Sequence, residues 1–97
     1  MEPGIPDISI SDVVLSTAGR DQGQLFYCIG TDAQFVLLSD GKGRTLDKPK
    51  RKKRKHVQKV LRAETRVAEK LRRGDKVLNS ELRRDLAFLI REIQSMT

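Results

Sequence analysis

Val13-Val14-Leu15-Ser16-Thr17-Ala18-Gly19-Arg20-Asp21-Gln22-Gly23-Gln24-Leu25-Phe26-Tyr27-Cys28-Ile29 decides how the chain folds. The β-branched start, Val13–Ser16, reads as a strand. Thr17–Gln24 is a polar loop with two glycines, Gly19 and Gly23, at positions expected to need positive φ. Leu25–Ile29 is a second strand, closed by Gly30. Ahead of this unit, alternation breaks at Ser11-Asp12, and Pro3, Gly4 and Pro6 make residues 1–11 a flexible N-terminus. Behind it, Thr31–Gln34 is a turn and Phe35–Ser39 a third strand. Asp40-Gly41-Lys42-Gly43 is a strong turn signal with Gly41 at positive φ. Arg44-Thr45-Leu46 restarts an extended segment leading to Pro49. Four or five short strands within the first 60 residues suit a small barrel rather than βαβ units. Phe26, Cys28, Val36 and Leu38 are expected to fill its interior.

The period then changes. Ala63, Val67, Ala68 and Leu71 recur at helical spacing, with Gly74 as a C-terminal stop. Asp75–Leu78 is a connector, and Asn79 or Ser80 caps a second helix with Glu81 in its first turn. Leu82, Leu86, Leu89, Ile90 and Ile93 form an apolar stripe expected to face the core rather than a dimer partner. The start of the first helix is open, because Val60 and Leu61 can extend it backwards. The fold class is therefore α+β, with strands in residues 12–62 and a two-helix extension in residues 63–97.

Charge is concentrated in one place. Seven of the nine residues Lys48–His56 are Lys or Arg. Residues 42–62 hold eleven basic side chains against Asp47, a net of +10, whereas the rest of the chain holds nine basic against twelve acidic residues, a net of −3. Clustered charge focuses potential and gains free energy by releasing condensed counterions, so the partner to expect is a polyanion, nucleic acid first. If Lys50–Lys55 is extended, Lys50, Lys52 and Arg54 lie on one face and Arg51, Lys53 and Lys55 on the other. Two basic faces argue against burying either, and suit an edge strand wrapped by nucleic acid. With only Phe26, Tyr27, Phe35 and Phe88 as aromatics, a core leaves few rings for base stacking, so backbone and shape recognition are expected.

Other chemistries find little support. Cys28 is alone, so there is no internal disulfide and no cysteine zinc site, and its apolar neighbours suit a buried thiol. His56 is the only histidine, with no partner cluster for a metal and no Ser-His-Asp or paired-carboxylate pattern. The chain is expected to be no enzyme and to need no cofactor. No apolar run approaches a membrane span and no signal-peptide pattern opens the chain, so a soluble, cytoplasmic monomer is expected. Pro49–Lys55 also has the composition of a nuclear address, a weaker reading.

The segments Val13–Ser16, Ala18–Gln24 and Leu25–Ile29 together resemble a KOW motif: strand, Gly-basic-Asp-x-Gly loop, strand. Leu38–Lys42, the Lys-Pro-Lys basic run, Lys55-His56-Val57-Gln58, Glu69–Gly74 and Leu78–Arg83 extend the match. Over roughly residues 12–90 the chain is similar to small bacterial KOW-domain RNA-binding proteins, themselves similar to a large-subunit ribosomal protein family of archaea and eukaryotes. It departs from them at Val57, where Leu is usual, and at Lys59-Val60-Leu61. The resemblance implies an SH3-like (KOW) β-barrel followed by two short C-terminal helices, and implies that Lys50–His56 is a strand. It also implies binding to structured RNA, ribosomal RNA or the ribosome above all, with ribosomal proteins as partners through the helices. The residues expected to meet RNA are Arg20 and Gln24 in the loop, Lys42, Arg44 and Lys48, the run Lys50, Arg51, Lys52, Lys53, Arg54, Lys55 and His56, and Lys59. The competing readings are a protein-interaction module with a transcription or ribosome partner, and a general nucleic-acid binder that also takes DNA.

Overall fold

A computed structural model describes residues 7–96. The strands are β1 (Asp12–Ser16), β2 (Leu25–Thr31), β3 (Phe35–Ser39), β4 (Lys50–Lys53) and β5 (Val57–Arg62), followed by helices α1 (Arg66–Arg73) and α2 (Asn79–Ser95). All pairings are antiparallel, in the order β4-β3-β2-β1-β5. The fold is thus α+β, and the sequence assignment holds for β1, β2 and β3 and for the presence of both helices. Gly19, Gly23 and Gly41 have φ of +87°, +91° and +74°, as their turns require.

The expected closed barrel is replaced by an open sheet whose edges, β4 and β5, do not pair with each other. They are nevertheless joined by one 3₁₀ turn, Arg54–His56. In a flat sheet of five strands the edges lie about 19 Å apart. The four Cα steps from Lys53 to Val57 reach about 14 Å at full stretch, and less in a 3₁₀ turn. The sheet must therefore curl at that end. Two hydrogen bonds fix the curl: Thr17 N–H donates to His56 O (2.9 Å), and Arg54 N–H to Gln34 O (2.9 Å).

Curling gives the sheet two apolar faces. The inner one gathers Ile8, Val14, Phe26, Cys28, Val36, Leu38 and Val57, including the four residues assigned to the interior from sequence. The other face carries Val13 and Tyr27 and is covered by Val67 and Ala68 of α1 and by Leu82, Leu86 and Leu89 of α2. Ile90 and Ile93 pack at its margin, so the apolar stripe of α2 belongs to the core. Burying side chains of this size contributes about 1.5–3 kcal/mol each. A polar node ties the layers together. Tyr27 Oη donates a short hydrogen bond to Asp85 Oδ2, and Thr65 Oγ1 donates to the same oxygen at 2.7 Å. The Thr65 oxygen in turn caps α1 by accepting from Ala68 N (3.1 Å). Burial, reinforced by the Asp85 carboxylate, pushes the Tyr27 phenol well above its ordinary pKa.

Several boundaries differ from the sequence reading, each for a local reason. Of residues 1–11, residues 1–6 lie outside the described residues, but Ile8 is buried and Ser11 is held rather than loose. Ser11 sits at φ +77°, donates its N–H to Cys28 O (2.8 Å), and accepts from Arg72 Nη1 (2.7 Å), which is why alternation breaks there. Arg44–Leu46 is no strand. Asp40 Oδ1 accepts from Lys42 N and Arg44 N, both at 2.9 Å, and Asn79 Oδ1 accepts from Leu46 N at 2.8 Å. This turn lies so close to α2 that a Cβ on Gly41 would sit 2.5 Å from Asn79 O. Val60 and Leu61 belong to β5 and not to α1. A register shift between Val13 and Val14 makes Val60 the extra residue of a bulge, which erases the alternation of β5. With Asn79 engaged by Leu46, α2 is capped from Leu78, whose N–H donates to Glu81 Oε1 (3.0 Å). At 17 residues α2 is also not short.

Candidate nucleic-acid interface

The basic run is extended only over Lys50–Lys53, where it forms an edge strand paired with β3. The register sets Lys52 opposite Val36 and Lys50 opposite Leu38, so this pair shares the inner-facing parity. Arg51 opposite Leu37 and Lys53 opposite Phe35 point the other way.

The expectation that neither face would be buried fails at Lys52, which is 8% exposed. Its ammonium donates to Ala18 O (2.6 Å) and to Asp21 Oδ1 (2.5 Å), and Ser16 Oγ donates to the same carboxylate oxygen at 2.7 Å. The Thr17–Gln24 loop is thereby folded over the Lys52 head group. A Cβ on Gly19 would lie 3.3 Å from Nζ, at a φ that already excludes most side chains. Partial burial pushes the Asp21 carboxyl upward, but hydrogen bonds from Lys52 and Ser16, with the charges of Lys52 and Lys50, outweigh it and hold the group below its ordinary value. Lys52 thus organises the loop and is not available to a ligand.

Arg54 is likewise engaged. It lies in the 3₁₀ turn, with Nε donating to Asp32 O (2.9 Å) and Nη1 to Ile8 O (3.2 Å). Lys59 stands on the opposite edge strand, 3.4 Å from the buried Asp12 carboxylate.

Of the remaining cations, Arg51, Lys53 and Lys55 are exposed and Lys50 is half-buried. Lys50, Lys53 and Lys55 make no hydrogen bond or ion pair with any described residue. Arg51 stacks its guanidinium on the Phe35 ring, 3.6 Å from the centroid. Its nearest carboxylate, Asp32, is 3.9 Å away, and both side chains are more than half exposed. Lys50, Arg51, Lys53 and His56 line one groove with Gly19 of the loop and Phe35. Loop and basic strand therefore meet at this groove. Other expected residues gather elsewhere. Arg20, Gln24 and Arg44 surround an adjoining cleft with Asp21 and Asp40. Lys42 faces Arg83 of α2, and exposed Lys48 sits in the turn before β4. Phe35, half-buried beside the groove, is not among the residues the sequence assigns to the site. Strand parity contained the signal, since Val36 and Leu38 as interior residues place Phe35 on the opposite face.

Cys28 is fully buried and its thiol is pushed up to about 11, chiefly by burial, which suits an inert core residue. Among the described residues no cluster of three or more His, Cys, Asp or Glu side chains is arranged to hold a metal ion, and no helix is long and apolar enough to cross a membrane. Neither any protein-family model nor any curated protein matches the chain.

Proposed function

We propose that the chain is a non-enzymatic RNA-binding protein of the KOW, SH3-like type, acting on ribosomal RNA or the ribosome in the cytoplasm. The observation that carries this reading is the groove in which a glycine loop and the cations of an edge strand converge. Ammonium groups that neutralise a phosphate backbone release its condensed counterions into solution. Support for the KOW identity comes from the strand–loop–strand pattern, with glycines of positive φ at both ends of the loop, on a curled five-stranded sheet. Arg20, Gln24 and Arg44 extend the surface beside the groove, while Lys52 and Arg54 act by holding it in shape.

The test is a binding titration against structured ribosomal RNA fragments over a range of salt. Replacing Lys50, Lys53 and Lys55 together by Gln should make the log–log salt slope shallower by about 2–3, as expected for three lost phosphate contacts. An unchanged slope with unchanged affinity would place the RNA surface elsewhere. Crosslinking in the native host should then concentrate on ribosomal RNA helices; scattered messenger RNA or DNA reads would leave a general nucleic-acid binder. A protein-interaction module remains the second reading. The apolar stripe of α2 is buried, so that reading rests on Phe88, 49% exposed on α2 beside Arg84 and Arg91.

A further inference from the structure

Arg51 differs from every other cation of the run. Its guanidinium is neither buried nor left to wander, because one of its faces lies on the Phe35 ring at 3.6 Å from the centroid. The Arg51 side chain is 61% exposed, so the opposite face of the guanidinium is open to solvent. The one carboxylate nearby does not compete strongly. Asp32 Oδ2 is 3.9 Å away and 57% exposed, and Asp32 Oδ1 is already accepting from Phe35 N (2.8 Å) and Gln34 N (3.0 Å). Those two bonds fix the β2–β3 turn and with it the position of the Phe35 ring. The plane is thus held in place before any ligand arrives, which lowers the ordering cost of stacking on it. Exposed Lys53 and half-buried Lys50 line the same groove, with His56.

A planar cation backed by an aromatic ring and flanked by ammonium groups is suited to a nucleobase and its two neighbouring phosphates. A base inside a duplex hides its face in the stack, whereas an unpaired base offers it. We infer that the groove between Gly19 and β4 seats an unpaired nucleotide of RNA, its base stacked on the outer face of Arg51 and its phosphates held by Lys50 and Lys53. This deepens the proposed function and rests on it: the substrate class is structured RNA carrying a bulged or looped-out nucleotide. It adds one stacked base to the backbone and shape recognition expected from scarce aromatics, since the ring here acts through an arginine.

The test uses the full chain and two probes, an RNA stem with a single bulged adenosine and the same stem perfectly paired. Wild-type protein should bind the bulged stem more tightly by about tenfold, the scale of one stacked base. Arg51→Lys keeps the charge and loses the plane. It should abolish that preference, lowering affinity for the bulged stem by about tenfold more than for the paired one. Phe35→Leu, which removes the backing ring, should weaken the preference too, with a melting curve confirming that it folds. Lys53→Gln should weaken both stems alike. Equal binding of the two stems, or an Arg51→Lys effect of the same size on both, overturns the stacking seat and leaves the RNA-binding reading intact. Failure to bind either stem, together with ribosomal RNA fragments, removes both.

Discussion

Lys52 and Lys53 are adjacent, identical in chemistry and part of one run of basic residues, yet they belong to different regions of the molecule. Lys52 is 8% exposed and holds the Asp21 carboxylate and the Ala18 carbonyl; Lys53, one residue on, has no hydrogen-bond or ion-pair partner among the described residues. The cause is the two-residue period of a strand, which sends one side chain under the loop and the next to solvent. The same parity separates Lys50 from Arg51, and half-buried Lys50 lines the groove from the inner side. A count of charges therefore overstates the ligand surface. Buried Lys52 shapes the site, and the cations that reach the groove are available to fill it.

This division can be broken from the inside first. Lys52→Met removes one member of a largely buried ion pair and strands Asp21; it should cost about 3 kcal/mol of stability by denaturant unfolding. Any loss of RNA affinity should then be explained by unfolding of the loop, and a fully stable variant would dissolve the distinction. Arg54→Ala should follow with about 1–2 kcal/mol, the worth of its bonds to Asp32 O and Ile8 O. Acid offers a reversible version of the first experiment. The Asp21 carboxyl titrates lower in the folded chain than its ordinary value of 3.8, so its contribution is fully present above that pH. It is lost as pH falls through the folded-state value. Lys52→Met should flatten that part of the stability–pH curve, and an unchanged acid limb would deny the pair its role. Smallest of all, Lys53→Gln should leave stability within ~0.5 kcal/mol, as for an exposed side chain without partners. A larger change in its melting temperature would place Lys53 with the inward set.

The parts of the fold that could be read from sequence are those written in local chemistry. Val13–Ser16, Leu25–Ile29 and Phe35–Ser39 have β-branched or apolar character between turn residues, and the α2 stripe keeps its period for three turns. Gly19, Gly23 and Gly41 mark positions that only their backbone freedom explains. What could not be read depends on partners far along the chain. Asn79 looks like a helix cap until Leu46, 33 positions away, takes its side-chain oxygen. β5 looks like the start of a helix because a bulge against β1 places Val60 out of step. The groove was legible as two halves, a loop and a basic run, but the Lys52–Asp21 pair that joins them spans 31 positions and leaves no local mark. The stack of Arg51 on Phe35 is equally non-local.

The strand order has a consequence for how the chain is made. β1 to β4 follow one another as neighbours, each pairing across a short connection, but the far side of β1 is completed by β5, with Asp12 opposite Arg62. A ribosome adds 5–20 residues per second, so β1 waits about 3–10 s for its second partner to be synthesised. Throughout that interval one line of its backbone N–H and C=O groups has nothing to bind except water or another chain. Both helices lie still later in the sequence, so Val13 and Tyr27 are also uncovered during the wait. Until β5 closes onto β1, nascent copies present an open strand edge to one another.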